Sequence, residues 1–90
     1  MDQAKIGKFI GEIRKEKDLK QAELAEKLGV TSKTVSRWET GKYMPDSSLF
    51  TDISQILGVT INELLQGERL IKNNMIYISL QKIQHFLVEI

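Results

Sequence analysis

The sequence predicts an all-α domain of five short helices, followed by a tail of different character. Apolar residues recur at spacings of three and four along residues 3–66, and four of the five stretches end at a glycine. The 90 residues are 41% apolar and 28% charged, which is the balance of one ordinary globular domain. Because the chain holds no Cys and one His, we expect no disulfide, metal or cofactor.

The first predicted helix covers residues 3–17. Asp2 is its expected N-cap, and Lys15 and Lys17 suit the negative C-terminal end of the helix dipole. Four apolar side chains with helical spacing form the stripe that we expect to face the core: Ile6, Phe9, Ile10 and Ile13.

Two further helices follow almost without interruption. Helix 2 covers residues 21–28 and helix 3 covers residues 32–40, with Gly29 and Thr31 as the stop and start signals between them. The side chains expected to face inward are Leu24, Ala25, Leu28, Val35 and Trp38. The short connection has the length of a helix-turn-helix turn, which sets two helices at a steep angle.

The fourth and fifth helices complete the predicted domain. Pro45, Asp46 and Ser47 mark the start of helix 4, and Gly58 marks its end. Thr60 and Glu63 have the spacing of a capping box, which predicts helix 5 at residues 61–66. The side chains expected to face the core are Leu49, Ile53, Ile56, Leu57, Ile61, Leu64 and Leu65.

Residues 68–90 form the tail. Its apolar residues step by four, three and four, which is typical of a heptad seam and favours a helix, with dimerisation or linking as one role: Ile76, Leu80, Ile83 and Leu87. Alternation of Ile76, Ile78 and Leu80 fits a strand instead. A tail packed on its own domain also explains the stripe, so these alternatives stay open.

Charge and polarity single out helix 3. Residues 14–42 contain eight basic and five acidic residues, whereas residues 43–66 contain three acidic and no basic ones. A local basic stretch in a nearly neutral chain is compatible with a face that binds a polyanion, or with a solvated surface. If Val35 and Trp38 point inward, the opposite face of helix 3 carries short polar and cationic groups: Ser32, Lys33, Ser36 and Arg37.

The segment QAELAEKLGVTSKTVSRWETGKYMP, residues 21–45, resembles the phage-repressor and Cro-like helix-turn-helix family, also called the xenobiotic-response-element (XRE) family. The resemblance extends over about residues 4–67. It implies a five-helix lambda-repressor-like DNA-binding domain at residues 1–67, with the helix-turn-helix motif at 21–40 and the recognition helix at 32–40.

The resemblance also implies roles for individual residues. The side chains that would read base edges in the major groove are Ser32, Lys33, Ser36 and Arg37. Those that would contact phosphates are Lys20, Gln21, Thr31, Thr34, Lys42 and Tyr43. Arg14 and Glu39 match a charge pair that joins helix 1 to helix 3 in relatives. Lys20 departs from the family, whose members often have Ser, Thr or Asn at that cap, and Tyr43 has packing as an equal alternative.

The function implied is that of a cytoplasmic, sequence-specific regulator of transcription, with repression favoured. It would bind a double-stranded DNA operator as a homodimer. One alternative is an antitoxin whose tail binds a toxin partner, and another is a helix-turn-helix domain kept only as an assembly scaffold. No catalytic motif, signal peptide or apolar run of about 18 residues occurs, so we predict neither an enzyme nor a membrane protein.

Overall fold

The computed structural model describes residues 2–70, and these residues form five α-helices without a strand. The helices are α1 (Gln3–Glu16), α2 (Gln21–Leu28), α3 (Ser32–Glu39), α4 (Phe50–Leu57) and α5 (Ile61–Gln66), with a 3-10 turn at Ser47–Leu49 before α4. The predicted all-α, five-helix fold is therefore confirmed. The predicted tail seam of Ile76, Leu80, Ile83 and Leu87 lies outside the described residues and stays a prediction.

Side-chain caps explain where three helices begin. The side-chain oxygens of Asp2 and Thr31 accept hydrogen bonds from the backbone N–H three residues later, over 3.0 and 3.1 Å. Thr60 and Glu63 form the full capping box, with each side chain accepting from the other residue's backbone N–H over 3.0 and 2.8 Å. Each cap satisfies an otherwise unpaired donor and stabilises its helix by about 1 kcal/mol.

The core lies between α1 and the other helices. Helix α1 packs against α3, α4 and α5, and α2 packs against α3 and α4. The core side chains are Ile6, Phe9, Ile10, Ile13, Leu24, Ala25, Leu28, Val35, Trp38, Ile53, Leu57, Val59 and Leu64. Because both inward residues of α3, Val35 and Trp38, belong to this cluster, the recognition helix predicted from sequence is anchored in the core by apolar burial.

The prediction that Ile61 faces the core is wrong. Its side chain remains 40% exposed, whereas Glu63 is buried at 2% and Leu64 at 1%. Glu63, which forms the capping box, faces inward in the first turn of the six-residue helix α5. Residues two apart point to nearly opposite sides of a helix, so Ile61 faces solvent. Sequence periodicity also missed Phe50 and Val59, which are buried at the start and just beyond the end of α4.

Within residues 2–70, the longest helix has 14 residues, and no helix combines the length and hydropathy needed to cross a bilayer.

Candidate nucleic-acid interface

A tight turn sets the angle between α2 and α3. Gly29 ends α2 in the left-handed conformation, with φ 72° and ψ 28°, which glycine adopts without steric strain. The next residue, Val30, donates its N–H to the carbonyl of Ala25 over 3.0 Å and packs its side chain against the core. Backbone closure and apolar burial together fix the direction in which α3 leaves the turn.

Helix α3 has one buried face and one polar face. Val35 is 0% and Trp38 2% exposed. At about 100° per residue, the four predicted base-reading residues lie within an arc of about 140° on the other side of the helix. Ser32 and Lys33 are exposed, and Ser36 and Arg37 are partly buried: the structure brings all four to one accessible face.

The beginning of α3 carries two further predicted residues, Thr31 and Thr34. Their hydroxyl oxygens are 2.9 Å apart, and Thr31 also caps the helix. Thr31 is exposed and Thr34 partly buried. Each hydroxyl has one hydrogen and either can be the donor between them, so the pair keeps one O–H to donate to an anion while Thr31 caps the helix.

The beginning of α2 differs from that of α3. Lys20 occupies the N-cap position without a side-chain cap, because an ammonium group has no acceptor. Its backbone N–H is satisfied instead by Glu23 Oε1, at 2.8 Å. Glu23 was not singled out from the sequence, although its position three residues after the cap was the available signal. The Lys20 ammonium stays exposed beside unpaired helix N–H groups, which suits an anion.

Arg14 and Glu39 join α1 to α3 through a two-point ion pair. Arg14 Nε lies 2.6 Å from Glu39 Oε2, and Nη2 lies 2.9 Å from Oε1. The third nitrogen, Nη1, donates to the carbonyl of Leu19 over 2.7 Å. The side chains are only 9% and 10% exposed, and the hydrogen bonds to Glu39 raise the pKa of Arg14 above its ordinary value, against the effect of burial.

Glu39 also orients Gln21, the first residue of α2. Gln21 Nε2 donates to Glu39 Oε1 over 3.0 Å. Because a carboxylate only accepts, the amide nitrogen and not the amide oxygen must face Glu39. The nitrogen carries a second hydrogen, so Gln21 can still donate to another acceptor while Glu39 holds it.

The loop after α3 returns beside the polar face of that helix. Gly41, with φ 76°, closes the helix, and the N–H of Lys42 donates to the carbonyl of Arg37 over 2.9 Å. Arg37 Nη1 then lies 3.3 Å from the hydroxyl of Tyr43, and the guanidinium carbon lies 5.8 Å from the ring centre. The hydrogen bond from Arg37 lowers the pKa of Tyr43, and Thr34 and the charge of Lys33 act in the same direction.

The contact between Arg37 and Tyr43 was not predicted, because six residues and a chain reversal separate the two side chains. Lys42 is exposed beside them. Within residues 2–70, no group of three or more acidic or His side chains is placed to hold a metal ion. Arg37, Lys42 and the Tyr43 hydroxyl together offer cations and hydrogen-bond donors on this side of α3.

The sequence of this domain is similar to that of known helix-turn-helix proteins. The model of the helix-turn-helix family matches residues 10–64. The chain is 45% identical over 60 residues to the HTH-type transcriptional activator BcrR of Enterococcus faecalis, spanning 67% of this chain and 29% of that protein. It is 35% identical over 68 residues to the ImmF control region 10 kDa protein of Bacillus phage phi105, spanning 76% of each.

A second phi105 protein and one solved structure extend the comparison. The phi105 immunity repressor protein is 33% identical over 67 residues, covering 74% of this chain and 46% of that protein. The crystal structure of the clp gene regulator ClgR from C. glutamicum superposes with a TM-score of 0.65 over 74% of this chain and 87% of that chain. Its sequence identity of 24% supports a likeness of fold alone.

Proposed function

The chain belongs to the helix-turn-helix family of DNA-binding transcriptional regulators, and we propose that it reads a specific operator with α3 in the major groove. One observation carries the proposal. Val35 and Trp38 anchor α3 in the core, while the four polar residues of the opposite face stay accessible. A helix held in this way can enter the groove without unfolding any part of the domain.

Base reading is assigned to the polar face of α3. Arg37 can donate two hydrogen bonds to O6 and N7 of guanine, and Lys33 can bind the same atoms with less geometric selectivity. Ser32 and Ser36 are short groups that donate or accept, so they discriminate less between bases.

Phosphate binding is assigned to groups around α3. The proposed contacts are Lys20, Gln21, Thr31, Thr34, Lys42 and Tyr43. Gln21 is supported by its geometry, since Glu39 fixes its amide and leaves one N–H to donate. The cation of Lys20 at the start of α2 adds charge attraction where helix N–H groups are unpaired. Such contacts fix affinity and register but carry little sequence information.

We further propose a homodimer that acts as a repressor in the cytoplasm. One recognition helix reads a few base pairs, and two copies would read half-sites about 34–36 Å apart. Repression is favoured by the likeness to a phage immunity repressor, although an activator is also among the relatives. The antitoxin alternative depends on residues 68–90, of which only 68–70 are described, and it stays a prediction.

Selection from random double-stranded oligonucleotides, at a stated salt concentration, tests the proposal. The full chain should enrich one symmetric sequence. Arg37→Ala and Lys33→Ala should each relax the preference at particular positions, by about fivefold or more in relative affinity. Lys8→Ala is the matched control, because it removes a charge from the exposed side of α1. Equal losses on every sequence for both α3 variants would contradict base reading by this helix.

A further inference from the structure

The polar face of α3 contains one side chain that another residue holds in place. Arg37 donates to the Tyr43 hydroxyl over 3.3 Å, and its guanidinium carbon lies 5.8 Å from the centre of the Tyr43 ring. Hydrogen bonding and attraction to the ring act on the same guanidinium from the same neighbour. Tyr43 thus restrains the end of a long side chain that would otherwise move among many rotamers.

Hydrogen bonds hold the backbone of the two residues before Tyr43 independently of Arg37's side chain. Gly41 and Lys42 donate their N–H groups to the carbonyls of Trp38 and Arg37 over 3.0 and 2.9 Å, which closes α3 with a Schellman motif. The carbonyl of Gly41 also accepts from Gln3 Nε2, at 2.8 Å. The loop that carries Tyr43 is therefore fastened to the end of α3 and to the start of α1.

The contact leaves Arg37 able to act on a ligand. A guanidinium has more N–H donors than one phenol oxygen occupies, so the remaining donors can still form a two-point contact with guanine. An arginine that is already oriented loses less conformational freedom on binding than one that samples many rotamers. The preference for guanine should then exceed that of an unrestrained arginine at the same position.

We infer that Tyr43 is a positioning residue for Arg37 and sets the base preference at the operator position that Arg37 reads. The inference rests on the proposed function, because it assigns a second residue to the same DNA-reading face. It differs from the phosphate contact expected from sequence: a phosphate contact supports all sequences equally, whereas a positioning residue acts at one base position.

The test measures the affinity of the full chain for the selected operator and for its single-base variants. Tyr43→Leu removes the hydroxyl and the ring, and Tyr43→Phe removes the hydroxyl alone. At the position relaxed by Arg37→Ala, Tyr43→Leu should reduce the ratio of affinities for the best and the next base by about fivefold. Tyr43→Phe should cause a smaller reduction, and ratios at other positions should stay unchanged.

A double variant separates positioning from direct contact. In the Arg37→Ala background, Tyr43→Leu should cause no further change in base ratios. Since Tyr43 is 38% exposed, thermal unfolding of both Tyr43 variants should remain close to that of the unsubstituted chain. The inference alone is overturned if Tyr43→Leu lowers affinity equally on every sequence. It is also overturned if Tyr43→Leu weakens base preference to the same extent with and without Arg37. Failure of the unsubstituted chain to select any sequence overturns the proposed function as well.

Discussion

Gly7 of α1 lies directly against the backbone carbonyl of Trp38 in α3. A Cβ atom built on Gly7 would be 1.7 Å from that oxygen and 2.7 Å from its carbon, so no side chain fits between the two helices. The same oxygen accepts the N–H of Gly41 over 3.0 Å. The close packing of α1 therefore constrains the end of α3 and the start of the loop that leads to Tyr43.

Gly7→Ala should strongly destabilise the domain. The methyl group would meet rigid backbone, and such overpacking costs about 1–3 kcal/mol or more. Gly11→Ala is the matched control one turn later in α1, where the added Cβ would be 3.1 Å from side-chain atoms of Glu39 and would meet no backbone within that distance. Urea unfolding of the two variants should give a clearly larger loss for Gly7→Ala. Equal losses would show that backbone contact is not the cause.

Arg14→Met should lower the free energy of unfolding by about 3 kcal/mol, because it leaves the largely buried carboxylate of Glu39 without its cation. Glu68→Gln is the control. It removes the ion pair of Glu68 with Lys5, in which the Lys5 side chain is 47% and the Glu68 side chain 55% exposed, and it should cost about 0–1 kcal/mol. Denaturant titrations at low and high salt measure both effects. A loss for Arg14→Met that disappears at high salt would indicate a surface interaction instead.

Lys20→Ser should stabilise the free domain but weaken its binding to DNA. Serine supplies the side-chain acceptor that the N-cap of α2 lacks, which is worth about 1 kcal/mol. It also removes the cation proposed to face a phosphate. Thermal unfolding and DNA affinity, measured on the same preparation, should move in opposite directions. Unchanged DNA affinity would remove Lys20 from the proposed contacts.

Lys42→Ala should weaken binding to the operator and to its single-base variants by the same factor. A lysine that neutralises one phosphate releases about one counterion, so the slope of log affinity against log salt should fall in magnitude by about one. Fluorescence anisotropy at several salt concentrations measures the slope. The substitution keeps the backbone N–H that donates to the carbonyl of Arg37, which leaves the loop intact. A change in base preference would contradict a pure phosphate role.

Within residues 2–70, sequence alone determined the number and type of the helices, and the approximate bounds of all but α4, whose predicted start at residues 45–47 is followed by a 3-10 turn at Ser47–Leu49. The predicted ranges of α2 and α5 agree with the structure, and those of α1 and α3 differ by one residue at the C-terminal end. Caps, left-handed glycines and apolar spacing are local properties, because each involves residues within about one or two turns. Helical phase also placed the polar residues of α3 on one face, opposite Val35 and Trp38.

Tertiary structure decided which distant residues meet. The contact of Gly7 with Trp38, the hydrogen bond from Gln21 to Glu39, and the pairing of Arg37 with Tyr43 each depend on how separate elements cross or return. Ile61 shows the same limit, since its local pattern pointed inward and its neighbours left it exposed. Periodicity gives the direction of a side chain from its own helix axis, whereas its partner is set by the packing of the whole domain.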